Sequence, residues 1–252
     1  MNITIYRITM RLWIGIISLV IVPLSSAQAS VITNGCADAS ACTLEELFDG
    51  GSITVDDKLF DSWTFESLLA SGLSPDFSQV LVNGLDDVPF NPGISFDGGG
   101  ELAVSDTDFI DLSFSFAVST VDGVARIKDN ALILSGTSFG PPGSGGLISI
   151  DELVFDPLGM LIADKHVEQD NLFDTQILSD VAQFALQSSI FIEKDITIQG
   201  DALGNFVSLD SFEQRISQVP APATLFLLLT GIFYLFGIAR RSTTPQVQIA
   251  FN

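Results

Sequence analysis

The sequence predicts an all-β fold, a single β-sandwich ectodomain of jelly-roll-like kind, carried between an N-terminal signal peptide and a C-terminal transmembrane helix. Three observations point there. Gly, Pro, Asn and Asp punctuate the middle of the chain at short intervals, as at Asp49-Gly50-Gly51, Asn83-Gly84, Asn91-Pro92-Gly93, Gly140 to Gly146 and Asp156-Pro157. Between these breaks, apolar and polar residues alternate with a period of two, the pattern of half-buried strands. Residues 30–217 contain no low-complexity linker, and their number suits one domain that buries roughly 70% of the surface its unfolded chain exposes. Short strands with turns every ten or so residues suggest a sandwich, with a barrel as the second candidate.

Taken in order, the chain opens with a secretion segment. Arg7 and Arg11 precede an apolar run from Leu12 to Val22, followed by Pro23 and the small residues Ser25-Ser26-Ala27-Gln28-Ala29. Ala27 and Ala29 form an A-x-A site, so signal peptidase is expected to cut between Ala29 and Ser30 and release residues 1–29. Eleven apolar residues are too few to span a bilayer. Cys36 and Cys42 follow the cut, and two close cysteines in an exported chain point to one disulfide closing a small loop, worth about 2 kcal/mol. Thr43-Leu44-Glu45-Glu46 matches a capping box, which places a short helix over Leu44 to Phe48 before Gly50 ends it.

The clearest strand is Asp111 to Thr120, where Leu112, Phe114, Phe116 and Val118 alternate with Ser113, Ser115, Ala117 and Ser119. Ser52 to Val55, Leu59 to Phe65, Val80 to Val82, Ala125 to Ser135, Leu147 to Phe155, Ile190 to Gln199 and Asn205 to Ile216 read the same way. The run Asp174 to Gln187 reads as loop or short helix, because Ile177, Val181 and Ala185 fall at helical spacing. Lys128-Asp129 and Lys194-Asp195 each precede or open an apolar strand, which suggests that each lysine has a local carboxylate partner, although chance gives the same echo.

All 31 acidic residues lie between Asp38 and Glu213, with only Lys58, Arg126, Lys128, Lys165, Lys194 and Arg215 among them, so six positive charges leave the ectodomain at −25. Such a field repels nucleic acid and anionic lipid, and attracts divalent cations or basic polymers. Nucleic acid is therefore excluded as a partner. Nucleophilic catalysis would need a base, and the one histidine, His166, sits among charged residues in a setting typical of a solvated surface. The Gly140 to Gly146 run lacks the Gly-Lys-Ser/Thr ending of a phosphate loop. With 31 acids, paired carboxylates arise by chance and indicate no hydrolase. No catalytic residue is assigned, and the chain reads as non-enzymatic.

No cofactor is expected, with calcium as the single ion candidate. Asp106, Asp108 and Asp111 place hard oxygen ligands at short intervals, and Asp86-Asp87 follows a turn, yet neither stretch matches an EF-hand loop or a nonapeptide repeat. Acidic loop residues that keep strand edges soluble are the competing reading. Sugar faces rest on exposed Trp or Tyr, and between the termini there is no tyrosine and a single tryptophan, Trp63, whose place in an alternating strand assigns it to the core.

The C-terminal stretch determines routing. Ala223 to Ala239 has no charge, is rich in Leu, Phe and Ile, and is just long enough for a transmembrane helix. Arg240 and Arg241 follow and favour the cytoplasmic side, which leaves everything before Pro220 outside and residues 242–252 as a short cytoplasmic tail. Pro220 and Pro222 would stop the helix from running back into the ectodomain. Val219, Pro220, Pro222, Ala223 and Thr224, a short apolar helix and the Arg pair, together spanning residues 218–241, resemble the PEP-CTERM sorting signal of Gram-negative bacteria. The pattern departs from that family in carrying Ala221 where Glu is usual and in the eleven residues from Ser242 to Asn252.

The resemblance implies recognition by an exosortase-type membrane protease, with inner-membrane anchoring during sorting and then delivery to the cell surface or extracellular matrix. Exopolysaccharide is the further partner it suggests. The expected function is that of an exported surface or matrix protein, and the alternative is a periplasm-facing, membrane-anchored protein that binds or hydrolyses glycans.

Overall fold

The computed structural model describes residues 31–219 apart from Asp122 and Val124. The signal-peptide residues Ala27, Ala29 and Ser30 lie outside the described residues, as do Pro220, Pro222, Ala223, Thr224, Arg240, Arg241 and the helix expected over 223–239. Among the described residues no helix is long and apolar enough to cross a membrane.

Two antiparallel sheets enclose one core. In chain order the elements are β1 (Val31–Asn34), β2 (Ala41–Thr43), α1 (Leu44–Phe48), β3 (Ser52–Val55), β4 (Lys58–Ala70), β5 (Leu81–Leu85), β6 (Gly93–Asp97) and β7 (Ala103–Ser105). They continue with β8 (Phe109–Thr120), β9 (Arg126–Gly140), β10 (Leu147–Phe155), β11 (Leu161–Asp170), β12 (Thr175–Ile177), β13 (Ser179–Gln187), β14 (Ser189–Gln199) and β15 (Phe206–Val219). The larger sheet runs β1-β3-β4-β8-β14-β10-β11-β12, and the smaller runs β13-β9-β15-β6-β5-β2 with β7 also paired to β15. Each step β8 to β9, β9 to β10, β12 to β13, β13 to β14 and β14 to β15 therefore crosses from one sheet to the other.

The expected helix forms over Leu44–Phe48 with a complete capping box, Thr43 Oγ1 accepting from the Glu46 N–H and Glu46 accepting from the Thr43 N–H at 2.8 Å. Cys36 and Cys42 are disulfide-bonded, with their Cα atoms 5.2 Å apart. The run Asp174 to Gln187 departs from expectation. It forms β12 and β13, and the helical spacing of Ile177, Val181 and Ala185 is incidental, because these residues are all exposed and no apolar stripe is being buried. Also unforeseen is β11, whose charged sequence hides a strand paired along β10 from Leu147↔Asp170 to Phe155↔Leu161.

Phe and Trp build one end of the core. Trp63 on β4 is buried and stacks on Phe116 of β8 at 4.4 Å, while Phe96 of β6 stacks on Phe212 of β15 at 4.2 Å. Trp63 and Phe114 then meet Phe96 edge-on or tilted, at 6.1 and 5.8 Å, which joins the two sheets. Edge-to-face and offset aromatic pairs add about 0.5–1.5 kcal/mol each beyond area burial.

Next to these rings the core is polar. Lys165 of β11, Glu152 of β10 and Lys194 of β14 stand side by side across the larger sheet, at Glu152↔Lys165 and Glu152↔Lys194, and all three are buried. Asn130 of β9 and Gln214 of β15 face them from the smaller sheet, both fully buried. Lys165 Nζ bonds Glu152 Oε1 and Asn130 Oδ1; Lys194 Nζ bonds Glu152 Oε2 and, at 2.6 Å, Gln214 Oε1. Lys194 Nζ also lies 5.3 Å from the Phe212 ring centre, a desolvated cation–π contact. Burial disfavours each charge: it pushes Lys165 down and brings Lys194 down to about 8, against the opposing pull of Glu152. For Glu152 burial acts upward, and the charges of Lys194 and Lys165 overcome it and hold the carboxyl below its usual range. Lys194 thus pairs with Glu152 on the adjacent strand, not with its neighbour Asp195, whereas Lys128 does reach Asp129 at 3.6 Å.

Candidate functional site

Period-two alternation that sends Ile192, Lys194 and Ile196 of β14 inward sends Glu193 and Asp195 outward. The same parity puts Asp151 and Leu153 of β10, Ser113 of β8 and His166 of β11 on the outer face of the larger sheet. Register then aligns Ser67, Ser113, Asp195, Asp151 and His166 in one row across five strands. Register shifts in β4 between Asp61 and Thr64 and between Phe65 and Ser67 break the alternation there. Glu66, between them, accepts a hydrogen bond from buried Ser115 Oγ at 2.9 Å.

Apart from His166, this row forms the floor of an open groove of about 520 Å³ lined by Glu66, Ser67, Ser113, Asp151, Leu153, Glu193 and Asp195. A second depression, about 580 Å³, continues along β14 and β10 past Ala117, Phe155 and Phe191, and Glu193 borders both. The half-buried Phe155 and Phe191 rings lie 6.4 Å apart there and are the apolar surface beside the carboxylates.

The groups in the groove perturb one another. Ser113 Oγ donates to Asp195 Oδ1 at 3.1 Å; burial, then the like charges of Asp111 and Asp151, raise the Asp195 carboxyl despite that bond. His166 Nδ1 lies 2.8 Å from Asp151 Oδ1 and its Nε2 is 3.4 Å from Glu168. Partial burial lowers the imidazole pKa, but Asp151 and Glu168 outweigh it and the net shift is upward. His166 is accordingly half-exposed at the groove rim and holds two carboxylates.

The calcium candidates do not converge. Asp106 accepts from the Gly204 N–H at 2.6 Å, Asp108 accepts from Ser71 Oγ at 2.9 Å, and Asp111 interacts with Asp195. Asp87 is taken by Arg215, with Nη2 at 3.1 Å from Oδ2. Among the described residues no group of three or more His, Cys, Asp or Glu side chains could hold a metal ion. Val219 closes β15, paired with Arg126, and Gln218 Oε1 accepts from buried Lys58 Nζ, so the last strand of the sandwich runs two residues into the stretch assigned to the sorting signal. Trp63 is core and offers no ring to a sugar.

Sequence reasoning missed Glu66, Asp151, Glu193 and Asp195 as a group, because only strand register brings them together. It also missed the buried cluster, although its signal was present. Glu152 is in phase with Ile148, Ile150 and Val154, and Lys194 with Ile190, Ile192, Ile196 and Ile198.

No protein-family model and no curated protein matches the chain. Among solved structures it is similar to a mannan-recognising carbohydrate-binding module (9% identity, 75% of this chain and 98% of that one, TM-score 0.29). It is also similar to a module solved with β-1,4-galactotriose (16% identity, 59% and 88%, TM-score 0.24). A third is the enzymatically active domain of bacteriophage CBA120 tailspike protein 4, at 12% identity and TM-score 0.25; 61% of this chain is matched, and it spans only 19% of that protein. Likeness at this level carries no residue or ligand across.

Proposed function

We propose that the chain is an exported, non-enzymatic surface or matrix protein whose sandwich binds a glycan along the outer groove of the larger sheet. The crossings between sheets along β8 to β15 support reading the sandwich as a jelly roll. The observation that carries the binding reading is the row of carboxylates, which keep acceptor positions open beyond their bonds to Ser113, His166 and Ser115. Asp195, Asp151, Glu193 and Glu66 line one groove with serine hydroxyls, and the Phe155–Phe191 pair stands at its far end. Carboxylates accept hydrogen bonds from sugar hydroxyls, and a half-buried ring offers an apolar face. Neutral or amino-sugar polymers suit the groove, and polyanionic ones are repelled.

Export is supported by the disulfide, the secretion segment and the PEP-CTERM-like tail. An exosortase cut just past Val219 would release the sandwich at the end of its last strand. Affinity electrophoresis of the mature protein through a neutral glucan and through a partly deacetylated amino-polysaccharide tests the binding. Retardation is expected in at least one, weakened at least about tenfold by Asp195→Asn with Asp151→Asn, a loss of about 1.4 kcal/mol. Unchanged mobility in both polymers rules the groove out as a glycan site.

A second reading has one observation in its favour, the raised Asp195 carboxyl directly across from Asp151, since glycosidic hydrolysis pairs a protonated acid with a carboxylate. Release of reducing ends by the wild type, abolished in Asp195→Asn, would replace binding with hydrolysis.

A further inference from the structure

The buried polar cluster contains more positive than negative charge. Two lysines share one glutamate, and among the described residues no other carboxylate is hydrogen-bonded to either ammonium, Asp180 acting on Lys165 only through space. Burying an ion without compensation is costly, and natural cores avoid it. The arrangement around Lys165 suggests how the surplus is removed. Its Nζ contacts the side-chain oxygen of Asn130, and one oxygen of Glu152, Oε1, contacts both that Nζ and, at 2.9 Å, the Asn130 Nδ2. An amine, an amide and a carboxylate that touches the nitrogen to be joined and the nitrogen to be expelled are thus held together in a site without water access, Lys165 at 3%, Asn130 at 0% and Glu152 at 1% exposure.

We propose that Lys165 and Asn130 join in an intramolecular isopeptide bond, with Glu152 relaying the protons. Glu152 Oε1 takes a proton from Lys165 Nζ, whose hold on that proton is weakened by burial. The freed lone pair forms an N–C bond to Asn130 Cγ, and the carbonyl pair moves to Oδ1. Gln214 Nε2 already donates to Oδ1, and there it stabilises the developing negative charge. Glu152 gives its proton to Nδ2 and then takes a second one from the joined nitrogen, and the electron pair on Oδ1 returns to remake the carbonyl. The Cγ–Nδ2 bond breaks, and ammonia leaves with the remaining proton as ammonium. One C–N bond forms, one breaks, and nothing is oxidised. What stays in the core is Glu152 opposite Lys194 alone, a neutral pair.

The neighbouring pair is built differently. Lys194 Nζ bonds Gln214 Oε1 at 2.6 Å, but the Gln214 Nε2 reaches Glu152 only by a long bond of 3.4 Å and makes its shorter ones to Asn130 and to the Ala131 carbonyl. Phe212 beneath Lys194 favours its charged form. The bond would tie β11 of the larger sheet to β9 of the smaller one, which share no ladder.

Mass spectrometry of the mature protein, reduced and denatured, decides. The expected result is the loss of one ammonia, about 17 Da. After trypsin the loss should sit in a single fragment, Asp129 to Lys194, uncut at the acylated Lys165. Lys165→Met should keep its full mass, and Asn130→Asp, which can form the same bond by losing water, should give the wild-type mass. An unshifted wild-type mass overturns the proposal whether or not the variants fold. So does a loss that maps to a succinimide at Asn83-Gly84 or to Lys194 and Gln214.

Discussion

His166 shows how far one side chain's behaviour is set by its strand register. Opposite Asp151 and one alternation from Glu168, it is held by two carboxylates, and its pKa lies above the ordinary 6.5. The sign of the linkage follows. A histidine whose folded pKa is raised contributes stability that is complete below its unfolded pKa and is lost as pH rises through the folded value. Half-exposure keeps that contribution small, so the informative measurement is the titration itself. Asp151→Asn removes the closest hydrogen-bonding charge and should move the imidazole midpoint down, as read from its proton resonances between about pH 5 and 9. A midpoint that does not move would mean that the ring takes its shift from elsewhere. Because Asp151 also lines the groove, protonated His166 places a positive charge beside one of the carboxylates proposed to bind the glycan.

Among the elements, the segment from β1 to α1 adds local bracing to the core contacts of Leu44 and Leu47. The Cys36–Cys42 bridge closes the loop before β2, and Glu46 accepts from the Ala37 and Thr43 N–H groups, both at 2.8 Å, so one carboxylate clasps loop and helix start together. Those two bonds are what hold its carboxyl below the usual range. Replacing both cysteines by alanine should cost about 2 kcal/mol, the low end expected for so short a loop, measured as a shift in urea midpoint at constant slope. A shift below a few tenths would show that Glu46 and the capping box suffice. This region was legible in the sequence because its signals are local: a cap, a bridge and a stop. Leu44–Phe48, Ser52–Val55 and Leu147–Phe155 form with the expected bounds. β12 and β13 were not legible, since they lie at sheet margins where few side chains are buried and alternation fades, and β11 was hidden because one of its buried positions is the charged Lys165. The groove and the buried cluster were half-legible. Parity marks Glu152 and Lys194 as inward, but which strands lie side by side is a matter of long-range pairing that no local pattern encodes.

For the molecule as a whole, where the cations go matters more than how few there are. Of the six between the termini, Lys58, Lys165, Lys194 and Arg215 are buried, which leaves Arg126 and Lys128 as the cations nearer the surface against a shell of carboxylates. The core therefore draws its positive charge from residues that a soluble surface would ordinarily spend on neutralising its own acids, and the exterior is more negative than the −25 difference alone conveys. Such a surface repels itself, and compactness works against that repulsion. Screening should relieve it: raising salt from about 10 mM, where the Debye length is about 30 Å, to about 150 mM, where it is about 8 Å, should raise the melting temperature by several degrees. Since 1 kcal/mol moves a domain of this size by about 2–4 °C, the effect is well within the reach of a thermal scan. Calcium and magnesium at matched ionic strength should act alike, because no three acidic side chains among the described residues converge on one point. A calcium-specific rise would mean that carboxylates of the groove or its rim can close on an ion, and the acceptors assigned to sugar hydroxyls would then be metal ligands first.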